Sequence, residues 1–465
     1  YSEVGKAHYK GKDLTEVRSP QRQLVLDMVG SDLGKQTSLW GIANKAKANK
    51  QHRFQNLYRL LDEEMLLGCW KELNKGAASG VDRITAKDYQ KDLMDNIRNL
   101  VERLKGKRYR AKLVRRSYIP KENGKQRPLG IPALEDKLVQ LGCAKILTAI
   151  YEQDFVESSH GYRPGRGARA AVGELAFNLQ YGSCQYIVEA DIKGFFDNME
   201  HDWLLEMLAL RIDDRAFLKL IEKWLKAGIL DTDGQVIHPE TGTPQGGIIS
   251  PVLANVYLHY ALDLWFEKVV KKHSEGNAFI CRYADDFVCG FRHEEDAVKF
   301  YGALPGRLGK FGLTVAPEKT RILRFSRYPP SRDQRFNFLG FELHWCKDRK
   351  GIPRVKRRTA RKKLQGAGKR IKEWVKENRH LPNREFIEGL NRRLRGHYNY
   401  YGVRGNSQSL KKFYEGAIWN VFKWLNRRGG KRRSYTWAAF FKALKQLGVV
   451  SPRIVEQKQR YAVYA

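Results

Sequence analysis

Apolar positions along this chain recur with two periods that divide it into regions. Between about residues 80 and 345, short runs rich in Val, Ile, Tyr and Phe predict strands: YIVEADI (186–192), AFICRYADDFVCGF (278–291) and RILRFS (321–326). Longer stretches repeat their apolar residues every three or four positions and predict amphipathic helices, as in LEDKLVQLGCAKILTAIYEQDF (134–155) and around SPVLANVYLHYALDLWFEKVV (250–270). Strands and helices alternate without a regular βαβ period, which predicts an α+β domain rather than a doubly wound sheet. The last quarter is helical throughout, with Leu364, Ile371, Trp374 and Val375, then Phe386, Leu390 and Leu394, at helical spacing. Pro382, Gly402 and Gly429–Gly430 punctuate it. Residues 1–50 are polar, with a weak helical pattern, and read as an extension.

Charge changes this picture most. Among 465 residues, 86 Lys and Arg face 51 Asp and Glu, a net +35 that calls for a polyanionic partner. Residues 351–465 carry 30 of these cations against 6 acids, a net +24, so the helical quarter is the strongest candidate surface. The length suggests two to four domains at roughly 100–200 residues each. No apolar run reaches the roughly 18 residues of a membrane span, and residues 1–30 lack the apolar segment of a secretory signal. The six cysteines are scattered, with no CxxC pair, and read as buried thiols in a reducing compartment rather than as disulfides or a zinc site.

The candidate chemistry lies in CRYADDFVCG (281–290). Side chains alternate along a strand, so Asp285 and Asp286 cannot share a flat face and belong on the tight turn of a hairpin. Neighbouring carboxylates between apolar strands repel, and a bound divalent cation offsets that repulsion. A second buried-looking strand ends at Asp191, just before a turn at Gly194. If the two strands are neighbours, the three carboxylates form an oxygen cage suited to Mg²⁺. Two such ions about 3.5–4 Å apart would serve nucleotidyl transfer to a 3′-hydroxyl.

YADD between apolar strands resembles the catalytic signature of reverse transcriptases. Further blocks follow in that family's order: KGAASGVDRIT (75–85), RRSYIPKENGKQRPLGIPALEDKLVQ (115–140), SSHGYRPGRGARAAV (158–172), EADIKGFFDNMEHDWL (189–204), TGTPQGGIISPVLANVYLHYALD (241–263), GLTVAPEKTRI (312–322) and FNFLGFEL (336–343). Over about residues 53–447 the chain is similar to the reverse transcriptases encoded within bacterial group II introns, and its basic helical end resembles their maturase, or thumb, domain. The resemblance implies an α+β right-hand polymerase of fingers and palm, followed by an all-α basic thumb/maturase domain. The boundaries it suggests are a basic extension at 1–52, fingers and palm at 53–345, the helical domain at 346–447 and a tail at 448–465. It implies catalytic, metal-holding roles for Asp191, Asp285 and Asp286, with the Ile192 backbone carbonyl as a further ligand.

The same resemblance gives roles to the remaining blocks. Asn123–Gly124 is a favoured hairpin turn amid basic residues, and Lys125 and Arg127 are expected to contact the incoming nucleotide. Gln245, in a glycine-rich turn before a helix, is placed beside the nucleotide or template base. Phe196 lies five residues after Asp191, where an aromatic would exclude a ribose 2′-hydroxyl, although a one-residue slip would give that role to Phe195. Lys319 is placed near the triphosphate, and alone it reads equally as a surface charge. Arg163, Arg166 and Arg169 beside Tyr162 suit phosphate contact and stacking on the template. In the helical quarter, Arg392, Arg393, Arg395, Arg427, Arg428, Lys431, Arg432 and Arg433 are the expected RNA contacts.

The function implied is an RNA-dependent DNA polymerase using two Mg²⁺ ions. It would bind group II intron RNA and assist splicing and retrohoming, with an RNA template, DNA primer, dNTPs and target DNA as further partners. A bacterial cytoplasmic ribonucleoprotein is the expected setting, without membrane association. The endonuclease of many relatives, with its paired cysteines, is not expected, since no cysteine follows Cys346. Two alternatives stand beside this: a related polymerase serving a CRISPR, retron-like or other host system, and an RNA-binding splicing cofactor with a vestigial polymerase site. Oligomeric state is not set by the sequence.

Overall fold

The strand Tyr186–Ala190 runs between Arg321–Arg324 and Asp286–Phe291 in a four-stranded antiparallel sheet whose far edge is Ala278–Tyr283. The computed structural model describes residues 39–120, 124, 126–329, 334–427 and 434–456. Both faces of this sheet are covered, which is why its strands read as continuous apolar runs. Val188, Phe287 and Cys289 join the large core built on the helices Leu134–Tyr151 and Ser250–Leu258, whereas Ile187, Cys281 and Val288 join a second core against the helix Ala168–Tyr181. The Ser250–Leu258 helix continues through two π-helical stretches, His259–Asp263 and Phe266–Val270, to His273.

The hairpin Val114–Pro120/Gln126–Ile131 stands beside this body, and its first strand pairs in parallel with Ile229–Leu230. The chain's last described quarter is four helices, Arg361–Asn378, Asn383–Tyr401, Ser407–Leu425 and Trp437–Gln446. Their own core includes Ile371, Val375, Phe386, Leu390 and Leu394, as the spacing predicts, with Leu364 and Trp374 packed at its margin.

Two expected boundaries are corrected. Residues 39–48, placed in the extension, belong with the body: the helix Leu39–Ala48 buries Ala46 in the large core, and Arg211 donates to the carbonyls of Asn49 and His52. Residues 1–38 lie outside the described residues. The expected border at 345/346 falls inside the strand Phe341–Lys347, which pairs on either side with Arg335–Phe338 and Pro353–Thr359. The helical domain therefore opens with a strand. PRVKRRT hides that strand because Val355, opposite Trp345, is its one bulky apolar residue. This three-stranded sheet joins palm and helices: Phe341 stacks on Tyr400 with ring centres 5.8 Å apart, and the Tyr400 hydroxyl donates to the Leu339 carbonyl at 3.0 Å.

Candidate active site

Sheet register brings the three aspartates together. Ala190 pairs with Phe287, so one further antiparallel step sets Asp191 beside Asp286. Asp286 pairs with Tyr283, leaving Ala284 and Asp285 as a two-residue turn with Ala284 at φ 57°. The Asp191 carbonyl accepts from the Ala316 amide at 2.8 Å, and Ile192 lies opposite Val315 in a two-residue ladder.

Burial, reinforced by the neighbouring Asp191 charge, raises the Asp285 carboxyl above the usual carboxylate range. Burial and then the charges of Asp285 and Asp191 raise Asp286 from 3.8 to about 6, although its side chain opens onto solvent in the cleft. The Lys319 ammonium donates to Asp191 Oδ2 at 2.5 Å, and this bond raises the lysine. Lys319 thus sits on a catalytic-candidate carboxylate rather than as an isolated surface charge.

Among the described residues no three Asp, Glu, His or Cys side chains are already closed around one point as a metal cage. The donor set nevertheless fits a hard divalent cation, being oxygen only, acidic and mutually repelling. Stability follows from the sign of the Asp286 shift. A carboxyl raised on folding contributes stability below about pH 4 that is lost as pH rises through about 6. Asp286→Asn is therefore expected to stabilise the metal-free protein at pH 8, by on the order of 1 kcal/mol after solvent screening, and less at pH 5. Thermal unfolding in chelator at both pH values checks this, and a lower melting temperature for the variant at pH 8 would overturn it.

Across the cleft, Arg127 Nε donates to Gln245 Oε1 at 2.7 Å, while the Gln245 carbonyl accepts from the Gly130 amide at 2.7 Å. Gly246, at φ 118°, lets this loop press on the hairpin, since a Cβ there would lie 2.6 Å from the Gly130 carbonyl oxygen. A cavity of about 250 Å³ lies at this junction, lined by Gly130, Phe196, Gly242, Thr243 and Gln245 among others. Phe196 lines the cavity and meets Tyr162 edge to face, whereas Phe195 packs inward on Tyr257. Lys125 lies outside the described residues.

Arg163 is corrected. Its guanidinium is buried, forked onto Glu152 and bonded to the carbonyls of Val156 and Ser159, so it pins its own loop and is not available to a template. Arg166 is paired with Glu157, while Arg169 is exposed. Tyr162, exposed, lies near Asp285 and against Phe196.

On the helical domain, Arg392 and Arg395 are exposed, and Arg393 lies over Trp374 at 4.1 Å. Arg427 shares the Trp424 ring with Lys376 and Arg379, each within 5.3–5.7 Å of its centre. Sequence reading missed these last two cations, whose only signal was a WVKENR segment on the same helix as Trp374. Arg428, Lys431, Arg432 and Arg433 lie outside the described residues.

Residues 119–343 match the family model for reverse transcriptase (RNA-dependent DNA polymerase), and residues 364–440 match that for the group II intron maturase-specific domain. The chain belongs to the reverse transcriptases that carry a group II intron maturase-specific domain, a family that depends on divalent metal. It is 31% identical to protein YkfC of Escherichia coli, over 70% of this chain and 92% of that protein. It is 40% identical to the group II intron-encoded protein LtrA of Lactococcus lactis, over 47% of this chain but 36% of that protein. The chain thus spans about a third of that relative's length. A putative COX1/OXI3 intron 1 protein of Saccharomyces cerevisiae is 28% identical over 61% of this chain and 38% of its own length.

Proposed function

We propose that this chain is an RNA-dependent DNA polymerase that also binds group II intron RNA and assists its splicing and retrohoming. The observation that carries the polymerase reading is the register that sets Asp191 beside Asp286, with Asp285 on the adjoining turn and the Arg127–Gln245 pair across the cleft. Asp191, Asp285 and Asp286, with the Ile192 carbonyl, are the residues proposed to hold two Mg²⁺ ions. Bound there, the ions supply charge stabilisation for nucleotidyl transfer. Arg127 and Lys319 offer cations to an incoming dNTP's phosphates. Gln245, fixed by its carbonyl bond to Gly130, presents an amide to a base. Phe196 presents its ring where a ribose 2′-hydroxyl would enter.

The maturase reading is supported by exposed cations on the helical domain, for which the carboxylate cleft has no use. Template RNA, DNA primer and target DNA are the proposed further partners, in a bacterial cytoplasmic ribonucleoprotein. Primer extension on an RNA template, beside a splicing assay with intron RNA, tests both activities. Extension without splicing assistance favours a polymerase serving another host system, and the reverse favours a splicing cofactor. The three carboxylates argue against a vestigial site.

Phe196→Ala is expected to raise ribonucleotide over deoxynucleotide incorporation roughly tenfold, the scale of discrimination that one packed group supplies. Both rings are buried, but Phe195→Ala should lower stability more and leave sugar choice unchanged, because Phe195 packs inward on Tyr257 while Phe196 lines the cavity. Competition between GTP and dGTP in single-nucleotide extension checks this, and an effect confined to Phe195 would transfer the role to that ring.

A further inference from the structure

Arg282 is wholly buried inside the palm, yet it is a strand residue three positions before Asp285. Its Nε and Nη2 fork onto Asp263 Oδ1 and Oδ2 at 2.7 and 2.5 Å. Nη2 also reaches Ser159 Oγ at 2.7 Å, and Nη1 reaches Asn255 Oδ1 at 3.1 Å and the Ala284 carbonyl at 2.9 Å. All five guanidinium N–H groups therefore have acceptors. Asp263 closes the π-helical stretch His259–Asp263, a local widening that re-aims the side chains around it.

The contact with Ala284 distinguishes this network from a simple core ion pair. Ala284 is the first residue of the aspartate turn and holds φ 57°, a left-handed conformation that disfavours any residue with a Cβ. Its carbonyl is fixed by Arg282. Its amide is overlaid by Gly161, where a Cβ would lie 2.5 Å from the Ala284 nitrogen. Gly161 in turn is held by Asn255 Nδ2, which donates to its carbonyl at 2.9 Å, and Arg282 exchanges backbone bonds with the same loop through His160 and Ser158.

We propose that the Arg282–Asp263 couple is a positioning device that locks the strained Ala284 turn and thereby fixes where the Asp285 and Asp286 carboxylates point. The inference rests on the polymerase reading above, because it concerns the geometry of that same site. Apolar replacement of a buried ion pair is often tolerated by the fold, so the double variant Arg282→Met/Asp263→Leu separates positioning from stability. Its melting temperature should stay within a few degrees of wild type and its primer–template affinity within about twofold, while kcat for extension falls about 10²-fold, the scale of a small misplacement of reacting groups. Hydrogen exchange in metal-free protein should quicken about tenfold at the amides of 284–286 and not in the Leu134–Tyr151 helix. Adding Ala284→Gly should recover part of kcat, since glycine adopts the turn without strain.

If the double variant does not fold, Arg282→Lys takes its place. It keeps the charge against Asp263 but replaces the planar fork with a single nitrogen, and the same kcat and exchange changes are expected. Unchanged kcat and unchanged exchange in a folded variant overturn the proposal. So does an activity loss that only follows global unfolding. A wild type that extends no primer, in a protein whose variant still shows the local exchange change, overturns the polymerase reading and leaves the positioning intact.

Discussion

Asp285→Asn is expected to leave a folded, RNA-binding protein that extends no primer, with a loss of about 10³-fold or more in kcat. Asparagine keeps the shape and one oxygen but removes a charge from a cleft where neighbouring carboxylates raise the proton affinity of Asp285 and Asp286. That shared excess of negative charge is the property that attracts a divalent cation, and a neutral amide withdraws it. Asp191→Asn should act alike, and it would also remove the charge that Lys319 pairs with. RNA affinity should hold within about twofold in both variants, because the exposed cations lie on other elements. The measurement is single-turnover extension on an RNA template in Mg²⁺ beside filter binding of the same RNA. Extension near the wild-type rate by Asp285→Asn would falsify the site.

Neutralising Lys376, Arg379, Arg392, Arg395 and Arg427 together should weaken binding to structured intron RNA by about 10²-fold near 0.1 M salt. It should also flatten the salt dependence by roughly two to three in log–log slope, as expected when about three phosphate contacts are lost. Three of these cations crowd one indole, at 5.3–5.7 Å, with no acid among the described residues recorded as an ion-pair partner for them. Convergent like charge of this kind is relieved by a phosphodiester. Extension of a preformed duplex at saturating enzyme should suffer less, because the carboxylate cleft is untouched. An unchanged slope would show a merely solvated face, and equal loss of both activities would show a surface that grips only primer and template.

The palm was legible because its strands are short, apolar and bounded by turns, although the turn expected at Asp285–Asp286 falls one residue earlier, at Ala284–Asp285, and Asp286 opens the next strand. The pairing of Asp191 with Asp286 was legible only as a condition on neighbouring strands, since register is a tertiary fact. Arg163 misled because an arginine in a glycine-rich loop looks the same whether it faces solvent or Glu152, and only burial decides. Arg282 gave no signal at all: one arginine before an aromatic residue carries no information about an aspartate 19 positions earlier, beneath it in a π-helical stretch. The strand Pro353–Thr359 was hidden by its charges, because backbone pairing leaves no mark on a sequence with four cations in seven residues, even though only Lys356 and Arg358 are exposed.

The three-stranded sheet between palm and helices has a consequence for how the enzyme can be divided. Phe341 and Trp345 from its middle strand share one apolar core with Val403, which follows the second helix of the basic domain. A chain stopped near residue 345 would lose the partner strand Pro353–Thr359 and leave an apolar edge open to pairing with other molecules. The two halves are therefore not interchangeable cassettes. Grafting a foreign helical domain onto this palm requires carrying the segment from Arg335 onward as one piece, with its aromatic seam intact.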